Sequence, residues 1–406
     1  MAFFLDHFVD AGHLSFFEGT APDNFLRKPM LACAMAALAN RAQDERGREE
    51  ARRYYVDAIT VTNAALRNAN AIKDDNTIMA VILLGCFERL NWDNDDAMQS
   101  WQQHVRGATE VLQMRGQAQL RTPRGAGIFR EVRANSILNA LILEVEVPDF
   151  IVQWSRELGQ NPLHTLSDQL AICATRLASL KSAFQMGSST DEQLYGLAVD
   201  LEGDLLGWSK DALADGSDYI FNSVPNLDSP RAFGGIRHDY AVPQTCRQWN
   251  LWRTLCIILA RVQEAIYRRS WPTLTHAPPS AQYYRSIRDR MSNNICVAAA
   301  YVLGDESMAE SARGSIPAGY SLVQPLCLAG TCFVESLVEP SVSSDGSRII
   351  LVDQPLHLDP RNQISVRLAA VIARLEMIDR LGIRWAGSVA SFLKGGHRVC
   401  YDLARS

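Results

Sequence analysis

The most constraining feature of this sequence is the apolar stretch from Ile78 to Phe87, which has no polar face. It follows Asp74-Asp75-Asn76, residue types that cap the N-terminus of a helix, and it is closed by Glu88 and Arg89. A helix that is apolar on every side must be surrounded by other elements. The stretch is also much shorter than the roughly 20 apolar residues that span a bilayer. We therefore predict a central buried helix and no membrane span.

Helical periodicity dominates the rest of the chain. The Ala- and Leu-rich residues Asn24–Asn40 and the charged run that enters Tyr54 each predict a helix, and further helices are expected at about 97–115, 126–146, 163–184, 191–213, 244–268, 282–303, 318–338 and 361–394. Stretches rich in Gly, Pro, Asp and Ser predict loops at 215–243, 270–280 and 340–360. Within the last loop, Arg348–Asp353 is the one candidate strand. We predict an all-α, multi-helix bundle or solenoid-like body of residues 1–406, with 1–160 and 161–406 as its packed halves.

Composition places the chain among ordinary soluble globular proteins, with 47% hydrophobic and 21% charged residues. Its formal net charge of -5 argues against direct binding of nucleic acid, because phosphate contacts depend on clustered Lys and Arg. Nine cysteines are scattered singly along the chain, which does not indicate a disulfide framework and suits a reducing compartment. The first ten residues carry Asp and His and lack the basic region of a signal peptide. We therefore predict a cytoplasmic protein.

Sequence motifs of nucleotide-binding, zinc-protease and hydrolase sites are missing from the chain. The closest cysteine pair, Cys327 and Cys332, has four residues between its members rather than the two of a usual metal knuckle, and no second pair accompanies it. A lone pair in an apolar helix is typical of a protein core. We predict no metal site and no cofactor.

A family resemblance emerges in the segment Ser100–Gly116, where Trp101, Val105, Ala108 and Leu112 mark one helix face and His104 lies beside them. Together with Ile82–Glu88 before it and Phe129–Arg133 after it, this segment resembles the regulatory domain of fungal zinc-cluster transcription factors. In that family an apolar helix precedes a Trp-x-x-His-x-x-Gly-Ala helix that ends in Arg-Gly.

The resemblance extends into the C-terminal half of the chain. Gln248–Arg253 looks like the family's Trp-Asn-x-aromatic-Arg helix, and Gly319–Leu326 resembles its terminal Pro-Leu helix. One departure lies at Ala298–Ala300, where members of the family commonly carry Ser and Pro. Because Pro bends a helix, we expect a straighter helix here than in the relatives. The family's six-cysteine cluster is not present in the sequence, so we expect a regulatory domain without its zinc cluster. Whether Met1 is the natural start of the protein is left open.

Two functions from different classes follow. The first is a regulator or ligand-sensing module of a fungal biosynthetic gene cluster, which would act in the nucleus through another protein. The second is a repurposed helical pocket that binds an apolar secondary metabolite and directs a cofactor-free cyclisation or isomerisation, such as an intramolecular Diels-Alder-type cycloaddition. Confinement of one reactive conformer can supply about 7–11 kcal/mol without a nucleophile or metal, and we favour this second hypothesis on the sequence. A carrier without chemistry also stays open, as does a homodimer.

The candidate site residues are aromatic or polar-tipped side chains within otherwise apolar helices. Each of them could also serve packing alone, since Trp and Tyr bury large surfaces and Arg and His can tie helices together. We predict catalytic roles for His104 and Arg253. The predicted contacts to an apolar small molecule are Trp101, Arg133, Trp249, Trp252, Tyr301 and Gln324.

Overall fold

The computed structural model of the chain describes residues 24–92, 95–214, 218–225, 233–271, 274, 280–303, 316–338, 341–342, 348–351, 355–395 and 400–402. The α-helices within these ranges are α1 Asn24–Ala42, α2 Glu45–Leu66, α3 Asp75–Leu90, α4 Asp95–Arg115, α5 Pro123–Leu143, α6 Asp149–Leu158, α7 Leu166–Met186, α8 Asp191–Ala212, α9 Pro243–Ser270, α10 Ala281–Leu303, α11 Ile316–Leu337, α12 Gln363–Arg380 and α13 Arg384–Lys394. Single 3-10 turns precede α3 and α5 at Ala71–Lys73 and Gln117–Arg121. The predicted all-α fold class is confirmed.

Two small antiparallel sheets accompany the helices. One is a hairpin of β1 Phe221–Pro225 and β2 Ile236–Tyr240, and the other joins β3 Ser341–Val342, β4 Arg348–Leu351 and β5 Cys400–Asp402. Strand β4 falls on the candidate strand of the sequence. The prediction of a loop throughout 215–243 is wrong, because the hairpin lies inside it. The alternating burial of β2, in which His238 and Tyr240 point inward, fixes that hairpin on the helices.

Odd-numbered helices form an inner ring. Each helix of the series α3, α5, α7, α9 and α11 packs against the next one, α11 packs against α13, and α13 returns to α3. Helices α4, α8, α10 and α12 each bridge two consecutive members of this ring from outside, and α1 and α2 pack on α3. The predicted halves, 1–160 and 161–406, are therefore joined both at α5 with α7 and at α13 with α3.

Helix α3 is the buried helix that its apolar sequence predicts. Every residue from Ile78 to Gly85 is buried, and the side chain of Asp74 accepts a hydrogen bond from the backbone N–H of Asn76 at the N-terminus. Each of the four face residues of α4, from Trp101 to Leu112, is buried as well. Within the described residues, no helix has the length and apolar character needed to cross a membrane.

Backbone conformation corrects two of the predicted helix boundaries. The single helix expected at 361–394 is broken between α12 and α13 by Gly382, which has a φ of +100°. A Cβ at this position would lie 2.5 Å from the carbonyl oxygen of Ala37, so the turn also permits close approach to α1. The helix expected to reach residue 146 ends at Leu143, because Glu144 adopts the left-handed conformation. Helix α6 then begins after Pro148 and was not predicted from the sequence.

Candidate functional site

The inner helices α5, α7, α9 and α11 surround an open cleft of about 710 Å³. Helix α5 lines it from Pro123 to Ala134, and α9 contributes side chains from Gln244 to Thr254. The other two helices contribute Ser167 and Ala171 on one side and Ser321, Gln324 and Pro325 on the other. Because these four helices come from distant parts of the sequence, a molecule in the cleft would touch most of the inner ring.

A buried ion-pair cluster forms one wall of the cleft. Asp168, the third residue of α7, is fully buried and accepts from Nη2 of Arg133 at 2.7 Å and from Nε and Nη2 of Arg130 at 3.0 and 2.8 Å. It also accepts from the backbone and hydroxyl of Thr165, which closes a capping box at the start of α7. Burial by itself raises the pKa of Asp168, but its bonds to the two guanidinium groups outweigh burial and lower that pKa to about 2.

Several buried polar atoms at this cleft have no hydrogen-bond partner. They are Nε and Nη1 of Arg133, Oε1 of Gln248 and Oγ1 of Thr254. The three side chains line the cleft, and their residues are 2%, 8% and 4% exposed. Because leaving a buried polar group unpaired costs about 1–3 kcal/mol, three of them around one space indicate a binding site.

Positive charge predominates among the charged residues that line the cleft. Arg130 and Arg133 share the single carboxylate of Asp168, and Arg124 is paired with Asp75 outside the cleft. A fourth guanidinium, that of Arg247, lies opposite the one lining carboxylate, Glu131. Burial lowers the pKa of Arg247, and the negative charge of Glu131 partly restores it. The cleft therefore has a surplus of guanidinium groups over carboxylates.

Two of the predicted site residues lie in a different place. Trp101 and His104 line a separate, small cavity of about 30 Å³ between α3, α4 and α5. The hydroxyl of Tyr55 donates to Glu88, so Nε2 of His104 must donate to the same hydroxyl oxygen at 2.9 Å. Burial lowers the pKa of His104 to about 4, which keeps the ring neutral at physiological pH. This cavity has room for about one water molecule, not for a metabolite.

A second group of predicted residues surrounds the β1–β2 hairpin. Nη1 of Arg253 donates to the Tyr240 hydroxyl at 3.0 Å and to Oδ1 of Asn250 at 2.8 Å, and the residue is 1% exposed. The indole N–H groups of Trp249 and Trp252 donate to backbone carbonyls of the segment before the hairpin and of α8. These interactions attach the hairpin and α8 to α9.

The remaining residue of this group, Tyr301, packs edge-on against the ring of Tyr240 at 5.2 Å between centroids. Of the eight predicted residues, Arg133 and Gln324 alone line the large cleft. The sequence analysis missed Arg130 and Asp168. The spacing of three between Arg130 and Arg133, which puts both on one face of α5, is the signal that could have indicated the pair.

The cysteines that the structure describes are free thiols, and most of them are buried. Among the residues with described positions, no cluster of three His, Cys, Asp or Glu side chains has the arrangement of a metal site. The lone pair Cys327 and Cys332 lies within α11, where Cys332 packs in the core.

One family matches this chain. The model of the family described as the fungal specific transcription factor domain matches residues 4–342. The chain belongs to this family. The matched residues of this fungal transcription factor domain include every helix that lines the large cleft. No curated protein and no solved structure shows significant similarity to the chain.

Proposed function

We propose that this fungal transcription factor domain is a ligand-sensing regulatory module that binds a small molecule in the cleft between α5, α7, α9 and α11. The observation that carries the proposal is the set of unpartnered buried polar groups around a space of about 710 Å³. Small-molecule sites have volumes of about 300–1,000 Å³ and a few convergent polar groups. Membership of the family supports a regulatory role, with the nucleus as its place of action.

Binding can regulate because of where the cleft lies. Its four wall helices belong to the inner ring, and each packs against an outer helix that reaches the protein surface. A ligand that touches all four walls would favour the arrangement that fits it best and would shift the populations of the domain accordingly. A partner protein that contacts the outer helices could then distinguish the bound state from the free state.

A reporter assay tests this proposal. The chain is fused to a heterologous DNA-binding domain in a fungal host, and reporter output is measured with and without added metabolite extract. Ala134 lies at the exposed rim of the cleft, so Ala134→Trp should obstruct it and abolish the response, while the matched Ala134→Ser keeps it. An equal response from both variants and the wild type would refute the cleft as the sensing site.

The cyclisation hypothesis has a narrower basis. The large cleft could confine a flexible substrate, and Arg133 and Gln324 could polarise a substrate carbonyl there. His104 and Arg253, the proposed catalytic residues, are instead engaged with Tyr55 and with the hairpin. The test is conversion of a linear pathway intermediate with and without the protein, and equal rates would end the enzyme hypothesis.

The exposed face of α8 is our candidate surface for a homodimer. Val199, Leu206 and Leu213 are exposed at intervals of seven residues, and the positions of Gly196 and Gly203 between them have open space where a Cβ would lie. An antiparallel pair of α8 helices would place each leucine opposite a glycine of the second copy, which matches large to small. Sedimentation should show a dimer for the wild type and a monomer for Leu206→Glu; equal behaviour would exclude this surface.

A further inference from the structure

We infer that the ligand of the cleft carries an oxyanion, such as a carboxylate, that binds to Arg133 and lies against apolar walls. This inference rests on the proposed function and names the chemical class of its ligand. It differs from the purely apolar metabolite that the sequence analysis predicts.

Charge is the first reason. Arg130 and Arg133 both bond to Asp168, so two guanidinium groups share one carboxylate at a site where Asp168 and Arg133 are almost completely buried. A buried charge without a counter-charge is strongly unfavourable. An anionic group beside Arg133 would balance the cluster, and the nearby guanidinium of Arg247 adds to the attraction.

Hydrogen-bonding capacity is the second reason. Arg133 uses Nη2 for Asp168, while Nε and Nη1 have no partner. An arginine presents its nitrogens in a rigid planar fork whose spacing matches the two oxygens of a carboxylate. The hydroxyl of Thr254 is also unpartnered and can donate to the same group. In addition, the lone acceptor Oε1 of Gln248 would accept from a hydroxyl or amine of the ligand.

The shape of the cleft supplies the third reason. Beside the charged cluster, its walls include Ala171 of α7, Leu251 of α9 and Pro325 of α11. The volume of about 710 Å³ far exceeds that of a simple inorganic anion. The best-matched ligand is therefore an amphiphilic acid, whose oxyanion meets the arginines and whose carbon skeleton covers the apolar wall.

A pair of fluorescent probes with one skeleton tests the charge requirement. The anion is 8-anilinonaphthalene-1-sulfonate, and the neutral probe is N-phenyl-1-naphthylamine, which lacks the sulfonate. Both fluoresce more strongly in apolar surroundings, so titration gives a Kd for each. Because a hydrogen bond to a charged group contributes about 1.5–3 kcal/mol, we expect the wild type to bind the anion at least about tenfold more tightly than the neutral probe.

Substitutions then locate the preference. Gln248→Glu places a carboxylate beside the unpartnered nitrogens, so the Kd of the anion should rise by about tenfold or more while that of the neutral probe changes little. Gln169→Glu makes the same charge change at an exposed position of α7 and should alter neither Kd. If Gln248→Glu lowers the melting temperature, Arg247→Gln replaces it, and anion binding should again weaken selectively.

Ala134→Trp separates failure of this inference from failure of the proposed function. If Ala134→Trp abolishes binding of both probes but the wild type shows no preference for the anion, the cleft binds ligands and the oxyanion inference is wrong. Retention of the anion preference in both Gln248→Glu and Arg247→Gln would also overturn the inference. If neither probe binds, or if Ala134→Trp binds both as the wild type does, the cleft is not the ligand site and both proposals fail.

Discussion

Replacement of Asp168 by Asn should destabilise the domain strongly. The substitution removes the one carboxylate that Arg130 and Arg133 share, and it leaves two guanidinium groups beside a neutral amide. Loss of one partner of a buried ion pair costs about 3–5 kcal/mol. The lowered pKa gives a consistent size, since a fall from about 3.9 to the folded value corresponds to roughly 2.6 kcal/mol of stability at neutral pH.

Thermal melting measures this effect. Unfolding entropy near 60 °C is about 2.1 cal/mol/K per residue, so the whole chain should have an unfolding entropy of roughly 0.85 kcal/mol/K. A loss of about 4 kcal/mol therefore lowers the melting temperature by about 5 °C. Added sulfate should recover more stability in Asp168→Asn than in the wild type, because the unpaired guanidinium groups bind anions more readily.

Asp204→Asn is the matched control. It makes the same chemical change in an Asp–Arg ion pair, with Arg176, but both side chains are more than a third exposed. Pairs of this kind contribute less than about 1 kcal/mol, so the melting temperature should change by about 1 °C or less. Equal melting temperatures for Asp168→Asn and Asp204→Asn would refute the view that the buried cluster is an essential part of the cleft.

Three further substitutions test other parts of the structure. His104→Gln should flatten the pH dependence of stability between about 6.5 and 4 by roughly 3 kcal/mol, because the neutral buried imidazole stabilises the fold above its unfolded pKa and that contribution is lost as pH falls; identical pH profiles from melting curves would contradict this. Arg253→Lys should cost about 1.5–3 kcal/mol in urea unfolding, because an ammonium cannot reproduce the forked bonds to Tyr240, and an unchanged midpoint would oppose it. Gly330→Ala should cost about 1–3 kcal/mol, since its Cβ would lie 2.4 Å from the buried Leu393, and a wild-type melting temperature would show that the contact yields.

Local patterns in the sequence predict the helices well. The apolar run Ile78–Phe87 with its acidic cap is enough to predict α3, because burial and capping are both properties of neighbouring residues. The hairpin was missed because its strands have only five residues each and are separated by a stretch rich in Gly and Pro. The break at Gly382 depends on the approach of α1, which is remote in sequence.

The cleft could be predicted only in part. Arg133 and Gln324 stand out as polar groups in apolar helices, and both line it. The partnership of Arg133 with Asp168 joins residues 35 positions apart and depends on the packing of α5 against α7. Conversely, His104 and Arg253 have the chemical character of site residues but satisfy it within the fold. Tertiary packing therefore decides which polar groups are left available for a ligand.

The most direct test of the central claim is native mass spectrometry of the chain purified from a fungal host, beside the Ala134→Trp variant. The account predicts a stoichiometric small-molecule adduct on the wild type that denaturation releases as an acid detectable in negative-ion mode. The adduct should be missing from Ala134→Trp, provided that its melting temperature matches that of the wild type. An unliganded wild type, or the same adduct on both proteins, would contradict the assignment of the cleft as a binding site for an anionic ligand.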